Sequence, residues 1–117
     1  MVLDPKTAEL PQEAVTGTQL GFTDVRDVAD AHVLATKVEA AGGERFAITA
    51  GAFTWQKFRD AANAAGVKAN KGYPGAPAVG DGVLLYGKSQ KILGIKYRSL
   101  EEVAVATAKN LTEKYPL

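Results

Sequence analysis

The 117-residue chain contains no cysteine. Disulfides, thiolate nucleophiles and cysteine-based metal sites are therefore excluded. The absence fits a reducing compartment, and the expected location is cytoplasmic. There is one histidine, His32. It falls inside a helical pattern, and no Ser–His–acid spacing can be built around it, so it is read as packed or solvent-facing rather than catalytic. No stretch approaches the roughly 20 apolar residues that a membrane span needs. The opening residues, Met1 to Lys6, have no apolar run of the signal-peptide kind. Neither sign of charge is in excess, since 14 basic and 13 acidic side chains leave a net charge of +1. Without a basic block, neither nucleic acid nor an anionic membrane is expected as a partner.

What is present is ordinary for a globular chain: 46% hydrophobic and 23% charged residues. The length suits a single domain over residues 1–117 with one core. Residues 1–20 read as an extended lead-in, with one helical turn near Thr7 to Leu10. Pro5, Pro11 and Gly17 break any longer helix there. Residues 21–66 read as two strand–helix units, 67–87 as a Gly/Pro-rich loop, and 88–117 as a short helix, a strand and a C-terminal helix.

The pattern within those blocks is specific. Phe22 to Val25 is a predicted strand, and Asp27 is the predicted N-cap of the helix that follows. Val28, Ala31, Leu34, Ala35 and Val38 recur at helical spacing, and Ala41-Gly42-Gly43 ends the helix. Arg45 to Thr49 is the second predicted strand. Thr54 caps the next helix, Trp55 to Ala65, with Trp55, Phe58, Ala61, Ala62 and Ala65 inward and Gly66 closing it. Lys88 to Leu93 is a short helix ending at Gly94, and Ile95 to Arg98 a third strand. Ser99 and Glu102 form a capping box, from which a helix runs to Lys114 with Leu100, Val103, Ala104, Ala108 and Leu111 inward; Pro116 stops it. Such alternation predicts an α/β fold: a small, largely parallel sheet with packed helices. Three short strands leave at least one sheet edge bare, and pairing with a second copy would cover it.

Candidate chemistry is sparse. Asp24, Arg26, Asp27 and Asp30 cluster at a strand end. As acid/base or metal groups they would form a site. As a cap, a dipole partner and a local ion pair they form a joint, contributing on the order of 1 kcal/mol each. The second reading is adopted, because a metal site needs more than carboxylates from one short segment. Phe46, Phe53, Trp55 and Phe58 are assigned to the core rather than to a ligand pocket. The run Gly72-Tyr-Pro-Gly-Ala-Pro-Ala is superficially like a dinucleotide loop, but that loop needs a strand before it and a helix after it, and here prolines interrupt it and no helix pattern follows. The loop Lys68 to Gly82 carries Gly72, Pro74, Gly75, Pro77, Gly80 and Gly82. A connection that long is either a surface linker or functional.

Three separated segments together carry a family resemblance. They are Phe22-Thr-Asp-Val-Arg-Asp-Val-Ala-Asp-Ala-His-Val-Leu-Ala, Glu44-Arg-Phe-Ala-Ile-Thr-Ala-Gly-Ala-Phe-Thr-Trp-Gln and Lys91-Ile-Leu-Gly-Ile-Lys-Tyr-Arg-Ser-Leu-Glu-Glu. In this order they resemble the C-terminal part of extended short-chain dehydrogenases/reductases. The resemblance is to the epimerase/dehydratase-type branch that includes aldehyde, methylglyoxal, dihydroflavonol and cinnamoyl-CoA reductases. It implies the C-terminal part of a Rossmann-type reductase, from the last sheet strands through most of the substrate-side lobe. It also implies a parent enzyme that reduces an aldehyde or ketone with NADP or NAD.

The family's dinucleotide loop, catalytic Ser and Tyr-x-x-x-Lys pair belong to its earlier portion. In this chain the residues four places after Tyr73, Tyr86 and Tyr97 are Pro77, Gln90 and Glu101, and Tyr115 is two residues from the end. The chain is accordingly expected to be a substrate-lobe fragment, inactive alone, with no catalytic, cofactor-binding or metal residues of its own. Its loop residues Tyr73, Pro74 and Pro77 are the expected substrate contacts, since the matching connection in the family lies near the substrate mouth. The alternative is a stand-alone, non-catalytic binding protein acting as a homodimer or domain-swapped oligomer. A separately supplied N-terminal cofactor domain is a further possible partner.

Overall fold

A computed structural model describes residues 11–17, 20–75 and 87–115. Among the described residues the fold is α/β, with packed helices and one small two-stranded antiparallel sheet. The chain divides into two compact units. One takes residues 1–20, 53–82 and 100–117, and the other takes 21–52 and 83–99.

In the second of these, strand β1 (Leu20–Phe22) leads into helix α1 (Val25–Lys37). The cap is Asp24, not Asp27. Asp24 has extended backbone angles, φ −69° and ψ 138°, and its carboxylate accepts the Arg26 N–H at 2.8 Å. Asp27 lies one turn further on and is fully buried. The sequence offers both carboxylates at capping distance from the apolar stripe; tertiary pairing of Asp27 decides between them. The helix also ends earlier than its glycine pair. Val38 turns out of it, donating to Leu34 O, and Glu39–Ala41 forms a separate 3-10 turn before Gly43 at φ +74°. A short helix α3 (Gly87–Leu93) is closed by Gly94 at φ +67°. The core of this unit is Ala31, Ala41, Leu93 and Ile95, with Leu34, Val38, Phe46, Ile48 and Tyr97 packed on it.

The expected largely parallel sheet is absent among the described residues. Arg45 to Thr49 and Ile95 to Arg98 are not strands, and the sheet consists of β1 and β2 (Gly51–Phe53). The period-2 pattern of 45–49 is genuine, with Phe46 and Ile48 half-buried and Ala47 exposed. Those side chains pack on the α1 core. Hydroxyls serve part of the backbone instead of a ladder: Thr23 Oγ1 donates to Ile48 O at 2.8 Å and Thr49 Oγ1 to Phe22 O at 3.3 Å. An alternating pattern reports burial of one face; a strand also needs a neighbour at about 4.8 Å.

The first unit is helical. Thr54 caps α2 (Trp55–Ala64) as expected, accepting the Lys57 N–H at 3.3 Å. Helix α4 (Leu100–Lys114) starts directly after Ser99, where the capping-box pattern places it. α2 packs on α4 and on a π-helical turn, Glu13–Gly17, which replaces part of the expected extended lead-in. Phe58 and Ala62 on α2, Ala104 and Ala108 on α4, and Val15 on the turn are buried. Ala104 and Ala108 sit four residues apart on α4, one turn above the other, and their small side chains let the α2 backbone approach closely. Phe53, Trp55 and Phe58 cluster, with ring centroids 5.1–6.3 Å apart, as a core group rather than a pocket lining. The expected turn at Thr7 to Leu10 and the stop at Pro116 lie outside the described residues.

Candidate functional site

The charged cluster of the sequence resolves into two ion pairs. Arg26 grips Asp24 through Nε at 2.9 Å and Nη2 at 2.7 Å. The Arg26 hydrogen bonds hold the Asp24 carboxyl down at about 2, against the opposing effect of its burial. Asp27 accepts from the Arg98 backbone N–H at 2.8 Å and from the Arg98 guanidinium. Residues 71 positions apart are thereby joined, and the first turn of α1 is tied to the 95–98 segment. Both carboxylates are occupied by arginine. This is the arrangement of a joint between elements, not of a free acid or base. His32 is exposed, and its Nδ1 lies 2.7 Å from Val28 O, so that nitrogen carries the proton and donates within the helix. No group of three or more His, Asp or Glu side chains able to hold a metal occurs among the described residues.

The loop residues are held from α2. Gln56 is 4% exposed, and its carboxamide is fully used. Its Nε2 donates to Asp60 Oδ1 and to Lys71 O, both at 2.8 Å, and its Oε1 accepts the Tyr73 N–H at 2.7 Å. Two asparagines extend the clamp. Asn63 Oδ1 accepts from Ala69 N at 3.0 Å, and Asn70 Oδ1 from Gly72 N at 2.8 Å. Gly72 is left-handed, φ +60°, and a Cβ there would press against Gln56 Oε1. Tyr73 is thus placed, half-buried, and Pro74 beside it is exposed. Pro77 lies outside the described residues.

Sequence reasoning missed Gln56 and Arg59. The apolar stripe assigned Trp55, Ala61 and Ala65 to the interior, whereas Gln56 and Arg59 are the more buried. Hydropathy carries no signal for a polar side chain buried to hold a loop; the Gln56–Asp60 spacing of four was the only local cue. Arg59 is 3% exposed, and its Nε is buried without a hydrogen-bond partner. Asp60, its neighbour in sequence, is taken by Gln56. Leaving a buried donor unpaired costs about 1–3 kcal/mol, and more when it is charged.

The residues Gly72 to Gly75 do not meet the first requirement of a dinucleotide cradle, because the chain entering them, residues 67–71, is irregular rather than a strand. In the same unit a recess of about 410 Å³ is lined by Gly66, Val67, Lys68, Lys109, Thr112 and Glu113; neither Tyr73 nor Pro74 lines it. In the other unit Ala31, His32, Ala35, Phe46, Ile48 and Leu93 line a shallower, mostly apolar recess of about 160 Å³. No helix among the described residues is long and apolar enough to cross a membrane.

No protein-family model matches the chain. Among curated proteins it is 37% identical over 100 residues to the uncharacterized oxidoreductase YDR541C of Saccharomyces cerevisiae, covering 80% of this chain and 29% of that protein. It is 33% identical over 108 residues to the NADPH-dependent methylglyoxal reductase GRE2 of the same yeast, covering 86% of this chain and 32% of that one. The chain therefore spans about a third of the length of the curated relatives it matches. Among solved structures, yeast methylglyoxal/isovaleraldehyde reductase Gre2 complexed with NADPH superposes with a TM-score of 0.71 at 30% identity, over 96% of this chain and 38% of that one. The NADPH complex of Gre2 from Candida albicans gives 0.70 at 26% identity, over 97% and 34%.

Proposed function

Because the chain matches the extended short-chain dehydrogenase/reductase family over a partial region, we propose that it forms the substrate-side segment of an NADPH-dependent reductase acting on an aldehyde or ketone. The observation that supports this reading is the superposition of nearly the whole chain on between 34% and 38% of reductases solved with NADPH. Under it, α2 is a platform. Gln56 fixes the backbone on either side of Gly72, and Tyr73 and Pro74, with Pro77, meet the organic substrate. Proton donation is not assigned to any residue here, because no Tyr-x-x-x-Lys occurs in the 117 residues. On this reading the chain alone does not turn over substrate.

The test is NADPH oxidation with methylglyoxal and isovaleraldehyde as probes. The 117-residue chain alone is expected to give none, and addition of the cofactor-binding portion of a relative is expected to restore turnover that falls on Tyr73→Ala. Robust turnover by the chain alone overturns the reading. A second reading, self-association as a homodimer, is favoured by apolar side chains left outward on α1, Val25 at 79% and Val33 at 51% exposure.

A further inference from the structure

We propose that residues 45–49 form an open strand edge that takes up an extended partner segment, one whose side chains alternate between aliphatic and acidic. The main chain here has two sides. Thr23 Oγ1 donates to Ile48 O at 2.8 Å, and the Ala50 N–H donates to Phe22 O, also at 2.8 Å. The even-numbered residues therefore turn their peptide groups toward the end of β1. In an extended chain successive residues turn theirs to opposite sides, so those of Arg45, Ala47 and Thr49 point away from β1. None of these three makes a main-chain hydrogen bond among the described residues. Arg45 and Ala47 are exposed. A row of unpaired N–H and C=O groups at alternate residues is a template for another strand.

The two faces of the segment specify what that strand carries. Phe46 and Ile48 are half-buried on one face. With Ala31, His32, Ala35 and Leu93 they line the mostly apolar recess of about 160 Å³. A strand laid along the outer edge brings every second side chain beside Phe46 and Ile48, where an aliphatic group gains apolar cover. On the opposite face Arg45 stands exposed, with no ion pair among the described residues. The intervening side chains of the added strand meet it. Opposite charge across a strand pair is favourable there, and like charge is not. Main-chain bonds supply the affinity; the recess and Arg45 select the alternation. The edge needs nothing beyond this chain and involves neither Val25 nor Val33.

The test adds a capped six-residue peptide of alternating valine and glutamate to the 117-residue chain and follows amide hydrogen exchange by NMR. At roughly ten times the dissociation constant, exchange at Ala47 and Thr49 is expected to slow about tenfold, while Phe46 and Ile48 stay unchanged. The same peptide with every amide N-methylated is expected not to bind. A peptide with lysine in place of glutamate is expected to bind about threefold more weakly, and Arg45→Glu, a change at an exposed side chain, to reverse that preference. Four results overturn the proposal: no binding, slowing at Phe46 and Ile48 instead, equal binding of the N-methylated or the lysine peptide, or protection that grows with protein concentration before any peptide is added, which would give the edge to a second copy.

Discussion

Asp24 does two jobs with one carboxylate: it caps α1 through the Arg26 N–H and binds the Arg26 side chain. Its folded-state value is lowered from 3.8 to about 2, first by the side-chain bond to Arg26. A depressed carboxyl stabilises the fold above the unfolded value and ceases to do so as pH falls through the folded one. Acid titration of stability should therefore show a decline between about pH 4 and pH 2. Asp24→Asn keeps a capping oxygen and should flatten that decline; Asp24→Ala should also lose about 1 kcal/mol at neutral pH. Asp27 is the harsher position. It is fully buried against a partly exposed Arg98, so Asp27→Asn should cost about 3 kcal/mol in urea unfolding. A loss below about 0.5 kcal/mol would show that the pair does not hold the 95–98 segment.

At the scale of elements, the clearest parts of the sequence were those with a local stop or start. Thr54 and Ser99 mark the starts of α2 and α4, and Gly94 the end of α3, because capping and left-handed glycine are decided within a few residues. Thr54→Ala should destabilise the chain by about 1 kcal/mol, read as a lower urea midpoint at unchanged slope. What failed was anything decided at a distance. Asp27 was misread as a cap because its partner Arg98 is far along the chain. Residues 45–49 were misread as a strand because alternation shows one buried face, not a hydrogen-bonding neighbour. Of the candidate site, Tyr73 and Pro74 were singled out through the family resemblance. The side chain that holds them was not, because a buried glutamine breaks the apolar pattern by which burial is recognised.

At the scale of the whole molecule, the resemblance read from three segments agrees with the proteins the chain matches. Composition alone would have stopped at a globular α/β chain. The homodimer reading belongs at this scale as well. Light scattering across a hundredfold concentration range should show a mass near twice 12.3 kDa at the upper end, and Val33→Lys should shift the balance toward monomer. A monomer mass at every concentration removes that reading. Finally, the Gln56 clamp touches only main-chain atoms of the turn, the Lys71 carbonyl and the Tyr73 amide. Position and identity are thereby separated. Lys71 and Tyr73 can be exchanged for other side chains while the turn stays where it is, provided Gly72 is kept. Selection, natural or in the laboratory, can then revise what this loop recognises one residue at a time without first rebuilding its support.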